Sequence, residues 1–223
     1  MTMHSTHKEE NVGPHFSLEL LLSGQRRTWE LLQKLAAQIK PGMTEPEAAE
    51  IYSQLQKESG AERYWHPPKI RFGVNTQRAF REVSEPNVRL KENDIFFVDV
   101  GPIYNGYEGD AGQTFIVGDF AAGERIKVAG EQIFSAVRKR FITTGESGAE
   151  LYKYAETLAE EAGFELVGEG ATGHRIGDFP HAVHHRGALR NYERSPVPHL
   201  WILEIQLRNP KLQIGAFFED ILC

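Results

Sequence analysis

Four carboxylates and one imidazole stand out in this chain, because their neighbours in sequence predict buried positions. Asp99 and Asp110 lie in a stretch rich in Val, Ile, Phe and Tyr. Glu204 and Glu219 each interrupt an apolar run, and His174 lies in a segment rich in Gly and His. Burying even one unpaired carboxylate costs several kcal/mol. A divalent cation is the simplest source of the compensating charge.

The composition of this donor set indicates the kind of ion. It offers one nitrogen and several oxygen ligands but no sulfur, because the only cysteine is Cys223. Such a set suits Mn²⁺, Co²⁺, Fe²⁺ or Zn²⁺, and four carboxylates exceed what one catalytic zinc usually takes. Bridging carboxylates hold two ions roughly 3.5–4 Å apart, which activates a shared water and polarises a carbonyl. The residues therefore predict a dinuclear hydrolase.

The first two carboxylates lie in a predicted β-hairpin that turns at Asn105-Gly106, a pair typical of a type I′ turn. In that register Asp99 faces Gly112, and Asp110 lies two places along the same strand. Side chains alternate between the faces of a strand, so the two carboxylates share a face as diagonal neighbours, roughly 7–8 Å apart at the backbone. Pro102 could mark a bulge that reverses this parity, and two solvated carboxylates on a polar face remain the alternative.

Helical periodicity predicts two pairs of helices, with strands after each pair. The first pair runs from Ser17 to Pro41-Gly42 and from a capping box at Thr44 and Glu47 to Gly60. The second pair runs from Glu124 to Phe141 and from a capping box at Ser147 and Glu150 to Gly163. The stretch from Tyr64 to Pro68 is interpreted as irregular. Apolar runs predict strands from Leu200 to Leu207 and from Ile214 to Cys223.

The two helical pairs match each other at an offset of 103 residues, the separation of Ser147 from Thr44. At this offset Gly60 also falls on Gly163. The match predicts an internal duplication and hence a pseudo-twofold α+β domain with a site where the halves meet. Convergence is the alternative, because cap and stop residues recur in any helix.

Composition narrows the class of protein. The chain has 223 residues and a net charge of −6, with no long run of either sign, so no nucleic-acid or membrane partner is expected. The single cysteine and the lack of a signal-like segment favour a cytoplasmic protein. Residues 1–15 are expected to form a disordered tail with solvated histidines, and residues 16–223 a single domain.

Several motifs resemble the pita-bread metallopeptidases, the family of methionine aminopeptidases, aminopeptidase P and prolidase. The order Asp, Asp, His, Glu, Glu is that of the family's ligands. The segments VDVG, GYEGDAGQTFIVG and GHRIG resemble its two aspartate motifs and its histidine motif, and PGMTEPE resembles its helix start. The closing GAFFED is similar to the last-glutamate motif of the prolidase branch, which favours Xaa-Pro substrates.

The resemblance implies a pita-bread fold and two divalent metal ions, Mn, Co, Fe or Zn. It implies that Asp99 and Asp110 chelate one ion, that Asp110 and Glu219 bridge, and that His174 and Glu204 complete the other. It also implies that Glu204 acts as a catalytic proton shuttle. His181 matches a second family histidine, which contacts the scissile carbonyl and has both a catalytic and a substrate-binding role.

Three departures from the family pattern bear on function. Phe80 occupies the place of a substrate-binding histidine. His66, His184 and His185 are possible substitutes for it, although the simpler interpretation of each is a histidine in a loop. Ile205-Gln206 follows Glu204 where the family has Pro-Gly, which predicts a different exit of that strand. Only four residues follow Glu219, so the last strand is expected to be short, and its exposure would suit a homodimer.

Three functions remain open at this point. The leading one is a dinuclear aminopeptidase or dipeptidase that removes an N-terminal residue from short peptides. The second is an enzyme of the same fold with a small non-peptide substrate, for C–N hydrolysis or lyase chemistry, which Phe80 favours. The third is a non-catalytic peptide-binding module, which usually loses metal ligands, whereas all five are present here.

Overall fold

The computed structural model describes residues 7–180 and 185–223. Its helices are α1 (Leu18–Gln38), α2 (Glu45–Glu58), α3 (Ala121–Thr144) and α4 (Gly148–Ala162). Its longer strands are β1 (Arg63–Phe72), β2 (Asp94–Tyr104), β4 (Ala111–Val117), β7 (Trp201–Asn209) and β8 (Ile214–Ile221). Three two-residue strands complete the set: β3 (Tyr107–Glu108), β5 (Glu165–Leu166) and β6 (His174–Arg175). No helix in these residues is long and apolar enough to span a membrane.

The strands form one antiparallel sheet in the order β1-β2-β4-β8-β7-β5, with β3 beside β2 and β6 beside β7. The halves meet at the pairing of β4 with β8, and each half supplies a pair of helices. Both predicted capping boxes are present, at Thr44 with Glu47 and at Ser147 with Glu150. The pseudo-twofold α+β arrangement predicted from the repeat is therefore confirmed.

Two apolar clusters join the helices to the sheet. In the first half, Leu31, Leu32 and Leu35 of α1 pack against Val98 and Val100 of β2. In the second half, α3 buries its apolar face against the aliphatic residues of β7 and β8, and α4 packs against α3 and β5. Burying this apolar area stabilises the curved sheet and leaves its other face available for polar residues.

The central hairpin has the predicted register. Tyr104 pairs with Tyr107 around the turn, and Asp99 pairs with Gly112. Both turn residues, Asn105 and Gly106, have positive φ, as a type I′ turn requires. Pro102 does not reverse the parity, because its carbonyl accepts a hydrogen bond from Gly109 N–H in the unbroken register.

Two predictions about strands were wrong. The stretch from Tyr64 to Pro68 belongs to β1, although the register of β1 shifts on both sides of His66. Proline at 67 and 68 removes two donors, which explains why the sequence did not indicate a strand. The last strand, β8, is paired along its full length with β7 and lies between β7 and β4, so it is no exposed edge and gives no reason to expect a dimer.

Part of the N-terminal tail that was expected to be disordered makes specific contacts with the domain, while residues 1–6 lie outside the described residues. Glu10 is buried and accepts hydrogen bonds from Val197 N–H and Trp201 Nε1. The Arg175 guanidinium donates to the carbonyls of Glu9 and Asn11. Residues 9–11 thus pack beside β6, next to His174.

Tyr152 of α4 fixes the backbone of β7 beside the site. Its hydroxyl donates to the carbonyl of Glu204, at 2.8 Å, and accepts from the N–H of the same residue. On this edge β7 pairs with β6 before Glu204 and with β5 after it, and the tyrosine hydroxyl satisfies the backbone groups of Glu204 in the gap between those two strands. Tyr52 of α2 is equally buried, but its hydroxyl bonds to no residue that the structure describes.

The two tyrosines give a matched stability test. Tyr152→Phe should lower the free energy of unfolding by about 1–3 kcal/mol, because it leaves buried backbone groups unpaired. Tyr52→Phe removes a buried hydroxyl that makes no hydrogen bond to a described residue, so it should leave that free energy unchanged or raise it by up to about 3 kcal/mol. Urea unfolding followed by circular dichroism measures both. Equal effects of the two substitutions would contradict the role given to Tyr152.

Candidate metal centre

A row of residues crosses the middle of the sheet at one level. Asp99 on β2 pairs with Gly112 on β4, Gly112 pairs with Glu219 on β8, and Glu219 pairs with Glu204 on β7. Directly paired residues share a face, and Asp110 lies two places before Gly112 on that same face. All four carboxylates are nearly inaccessible, at 1–7% exposure. The sheet register therefore brings together the acidic residues that the sequence singled out.

Two groups of side chains have the geometry to hold an ion. Ligand atoms of Asp110, His174 and Glu219 lie within 4.8 Å of one another, and so do ligand atoms of His66, Asp99 and Asp110. His174 Nε2 is 2.9 Å from Asp110 Oδ2 and 3.6 Å from Glu219 Oε1. Asp110 is common to both groups, which is the place of a bridging ligand.

Glu204 lies beside these groups without belonging to either. One of its carboxylate oxygens accepts a hydrogen bond from the N–H of Gly173, the residue before His174. Gly173 has a φ of 71°, and a Cβ there would lie 2.6 Å from the carbonyl of Ile202, so a larger residue is excluded. The left-handed backbone conformation at Gly173 thus lets its N–H donate to Glu204 and places His174 directly after it in β6.

The carboxylates oppose one another electrostatically. Burial raises the pKa of Asp99 to about 7, and it raises the pKa of Glu204 and that of Glu219, with Asp110 adding repulsion to both. Burial also acts on Asp110, but the two imidazoles beside it outweigh that effect and lower its pKa. The cluster therefore needs positive charge in order to keep its carboxylates ionised.

The same need appears in the two histidines. Burial alone would lower the pKa of each imidazole, yet the carboxylates around His66 and His174 outweigh burial and raise both pKa values to about 9. Two buried oxygens, Asp99 Oδ1 and Glu219 Oε2, accept no hydrogen bond from any described residue. Unpartnered buried oxygens are rare in proteins. Oxygens of this kind facing imidazole nitrogens fit a divalent ion of the Mn²⁺, Co²⁺, Fe²⁺ or Zn²⁺ type.

A cavity of about 350 Å³ opens onto these groups. Trp65 forms one wall, with its ring centroid 4.4 Å from that of His66 and 5.0 Å from that of His174. Phe80 lines the cavity as well, with its ring 6.3 Å from His66. Buried Arg71 of β1 donates to the carbonyls of residues 79, 80 and 82, which fixes the loop that carries Phe80. The volume suits a small molecule or the end of a peptide.

His66 is the site residue that sequence analysis placed least well. The sequence suggests it only as a substitute for the missing histidine and predicts, more simply, a loop position. It is instead buried in β1, with Nε2 3.3 Å from Asp110 Oδ1 and 3.5 Å from Asp99 Oδ1. Its partner in the sheet is Gly101, where a Cβ would lie 2.3 Å from the imidazole. Gly101, directly after VDV, is the sequence feature that indicates space for a large side chain on the neighbouring strand.

The other histidines have different positions. His181, predicted to contact the scissile carbonyl, and His184 lie outside the described residues. His185 packs against Trp201 and Tyr192, at centroid distances of 5.5 and 6.2 Å, and does not line the cavity. Gln206, in the segment that departs from the family, donates to the carbonyl of Arg78 and ties β7 to the loop before Phe80.

Comparison with known proteins decides the family. The model of metallopeptidase family M24 matches residues 19–222, which is nearly the whole chain. The chain belongs to this family. M24 enzymes depend on divalent metal ions, so the chain is a metallopeptidase by family and the cluster is its candidate metal centre. The resemblance predicted from the motifs is thereby confirmed.

Individual M24 proteins show the same fold. Methionine aminopeptidase of Clostridium acetobutylicum is 28% identical over 211 residues, which cover 90% of this chain and 80% of that protein. The structure of methionine aminopeptidase from Thermotoga maritima superposes with a TM-score of 0.74 at 18% identity, over 94% of this chain and 93% of that one. Prolidase from Pyrococcus furiosus gives 0.73 at 22% identity, over 92% of this chain and 59% of the prolidase chain. The pita-bread fold is confirmed, and the chain spans little more than half the length of the prolidase.

Repulsion within the centre gives a test that needs no substrate. Glu219→Gln should raise the free energy of unfolding in EDTA by about 1–3 kcal/mol, because it removes a buried carboxylate that must be either charged or protonated at a cost. The same variant should lose the stabilisation that Mn²⁺ or Co²⁺ gives to the wild type. Urea unfolding with EDTA or metal measures both effects, and exposed Glu58→Gln is the control. A loss of stability in EDTA would contradict the repulsion.

Proposed function

We propose that the protein is a two-metal aminopeptidase or dipeptidase that hydrolyses the N-terminal peptide bond of short peptides, with Xaa-Pro peptides as one class to test. One observation supports this proposal above the others. Two three-residue groups with metal-ligand geometry share Asp110 and face one cavity of about 350 Å³. A shared carboxylate between two ligand groups is the arrangement that two-metal hydrolases use.

In this proposal the ligands are Asp99, Asp110, His174, Glu204 and Glu219, with Mn, Co, Fe or Zn as the bound ions. Two such ions supply a Lewis acid for the carbonyl and activate a water molecule. Glu204 would accept a proton from the attacking water and return it to the leaving amine. Its raised pKa and its place in the wall of the cavity suit a residue that must both accept and return a proton.

The substrate end of the cavity follows from the aromatic residues. Trp65 packs against both histidines and, together with Phe80, presents apolar surface to the cavity. We propose that His181 contacts the carbonyl that is attacked, as the family motif implies. Lys69, whose ammonium lies 4.6 Å from the centre of the Phe80 ring, fixes that ring from the other side.

The relatives support a peptide substrate without choosing one. Methionine aminopeptidases, an X-Pro aminopeptidase from Thermotoga maritima and prolidases all share the fold with this chain. All of them are named as peptidases or dipeptidases. The X-Pro aminopeptidase superposes with a TM-score of 0.73 at 18% identity, over 91% of this chain and 56% of that one. The likeness therefore supports peptide hydrolysis.

A small non-peptide substrate is the second candidate, and Phe80 is the observation that favours it. The phenyl ring stands in the cavity at a place where the resemblance expects an imidazole. A phenyl ring neither donates a hydrogen bond nor shares a proton, so a different leaving group would suit the site. Removal of a C–N bond by hydrolysis or elimination uses the same ions and the same Glu204.

The deciding experiment combines peptide hydrolysis with metal counting. Protein stripped of metal and reloaded with Mn²⁺, Co²⁺, Fe²⁺ or Zn²⁺ should cleave members of a panel of Met-Xaa, Xaa-Pro and other short peptides, with two ions bound per chain. Asp110→Ala should bind neither ion and have no activity, because it removes the ligand common to both groups. Elemental analysis after gel filtration measures the ions, and chromatography measures the products.

Each contrary outcome has a defined meaning. Two ions without cleavage of any peptide would favour the non-peptide enzyme. If no metal binds, the non-catalytic peptide-binding module would be the only one of the three functions that still fits. Metal retained at two ions per chain in Asp110→Ala would overturn the ligand assignment itself. Asp119→Ala, at a carboxylate in the exposed turn after β4, is the control for loss of an aspartate.

A further inference from the structure

We propose that His66 is a sixth protein ligand of the metal centre and binds, through Nε2, the ion held by Asp99 and Asp110. This inference rests on the two-ion site proposed above and adds a residue that the family motifs do not include. Nε2 lies 3.3 Å from Asp110 Oδ1 and 3.5 Å from Asp99 Oδ1. One nitrogen and two carboxylates at these separations can converge on a single ion.

The other ring nitrogen defines the tautomer. His66 Nδ1 lies 2.9 Å from the carbonyl oxygen of Pro67. A carbonyl oxygen accepts hydrogen bonds but cannot donate them, so the proton is on Nδ1. In a neutral ring the lone pair of Nε2 then points at two carboxylates. Metal-binding histidines in proteins commonly have this second contact, which orients the ring and raises its basicity.

A protonated His66 is the alternative, and the proposed ion argues against it. An imidazolium would pair well with Asp99 and Asp110 if they were the only charges present. Once those carboxylates hold a divalent cation, a second positive charge 3.3–3.5 Å from their oxygens is repelled. The neutral ring, by contrast, offers its lone pair to the same cation. In the loaded protein, ligation is therefore the favoured state of His66.

The chain is built to place this imidazole. The register of β1 shifts on both sides of His66, which pairs it with Gly101 and so places its side chain on the same face of the sheet as Asp99. Gly101, its partner on β2, leaves the space that the ring occupies. Trp65 packs edge-on against the ring and donates from Nε1 to the carbonyl of Gly109, the residue before Asp110. Backbone, glycine and tryptophan together hold the ring against the carboxylates.

His66 also matches His174 across the pseudo-twofold. His66 lies on β1, which flanks β2, and His174 lies on β6, which flanks β7. Each ring contacts the carbonyl of the next residue through Nδ1, Pro67 in one case and Arg175 in the other, at 2.9 and 2.7 Å. Each Nε2 lies beside a different oxygen of Asp110, Oδ1 for His66 and Oδ2 for His174. Each ion would therefore have one imidazole ligand.

This ligand affects which metal is bound. An imidazole in place of water or a carboxylate favours Zn²⁺, Co²⁺ and Fe²⁺ over Mn²⁺. His66→Asn should therefore weaken binding of Zn²⁺ at one of the two positions by at least about tenfold, since even the loss of a second-shell partner costs 10- to 100-fold. It should weaken binding of Mn²⁺ less. Competition with a coloured chelator measures both affinities without any substrate.

Controls separate the possible causes. His15→Asn, at an exposed histidine outside the site, should bind both metals as the wild type does. Asp110→Ala tests the site as a whole: if it keeps its ions, the proposed function fails. If Asp110→Ala loses its ions while His66→Asn binds Zn²⁺ with unchanged affinity, only the assignment of His66 fails. Unchanged affinity with reduced turnover would make His66 a substrate contact and would likewise overturn the assignment.

A measurement on the wild type covers the case in which His66→Asn does not fold. Crystals of the full chain loaded with Zn²⁺ should show anomalous density at the centre, with one ion about 2.0–2.1 Å from His66 Nε2. An ion bound by Asp99 and Asp110 with His66 beyond about 3 Å would overturn the proposal, because zinc–nitrogen bonds have a narrow range of lengths.

Discussion

Repulsion among four buried carboxylates is the constraint on which the rest of this structure depends. They lie in the middle of a sheet, at the junction of two halves, where water cannot screen them. Taken alone, such a cluster opposes folding, because each carboxylate must be protonated or neutralised. The helices on the other face of the sheet therefore have to supply enough apolar burial to stabilise a cluster that needs compensating positive charge.

The sheet register explains how the chain brings the cluster together. Asp99, Glu219 and Glu204 come from three strands, but pairing places them in one row with Gly112 between the first two. The glycine matters because a Cβ at that position would lie 2.4 Å from the Phe217 ring and 3.0 Å from the Cβ of Glu219. Gly112 therefore leaves space between Asp99 and Glu219 that a larger residue would fill. Shifting any of these strands by one residue would turn its carboxylate to the helical face.

Much of this was predictable from the sequence, and the failures have physical reasons. The hairpin turn at Asn105-Gly106 and both capping boxes are local signals, so the register of Asp99 and the helix starts followed directly. The strand around His66 was missed because two prolines follow it, and a strand with register shifts lacks the regular alternation that indicates burial. Packing of residues 9–11 against Arg175 was missed because it depends on backbone carbonyls, and backbone contacts leave no trace in side-chain pattern.

His66 and Phe80 together change where imidazole nitrogens lie around the cavity. Phe80 removes an imidazole from one wall of the cavity, and His66 brings one in from another strand, but the two are not equivalent. An imidazole in the loop of Phe80 would face the substrate, whereas His66 is held by Pro67, Gly101 and Trp65 with its free nitrogen toward Asp99 and Asp110. The change therefore moves a nitrogen from the substrate side of the cavity to the metal side. In the proposed two-ion site, an imidazole on each ion would hold the metals more tightly, while Phe80 gives the cavity a more apolar wall.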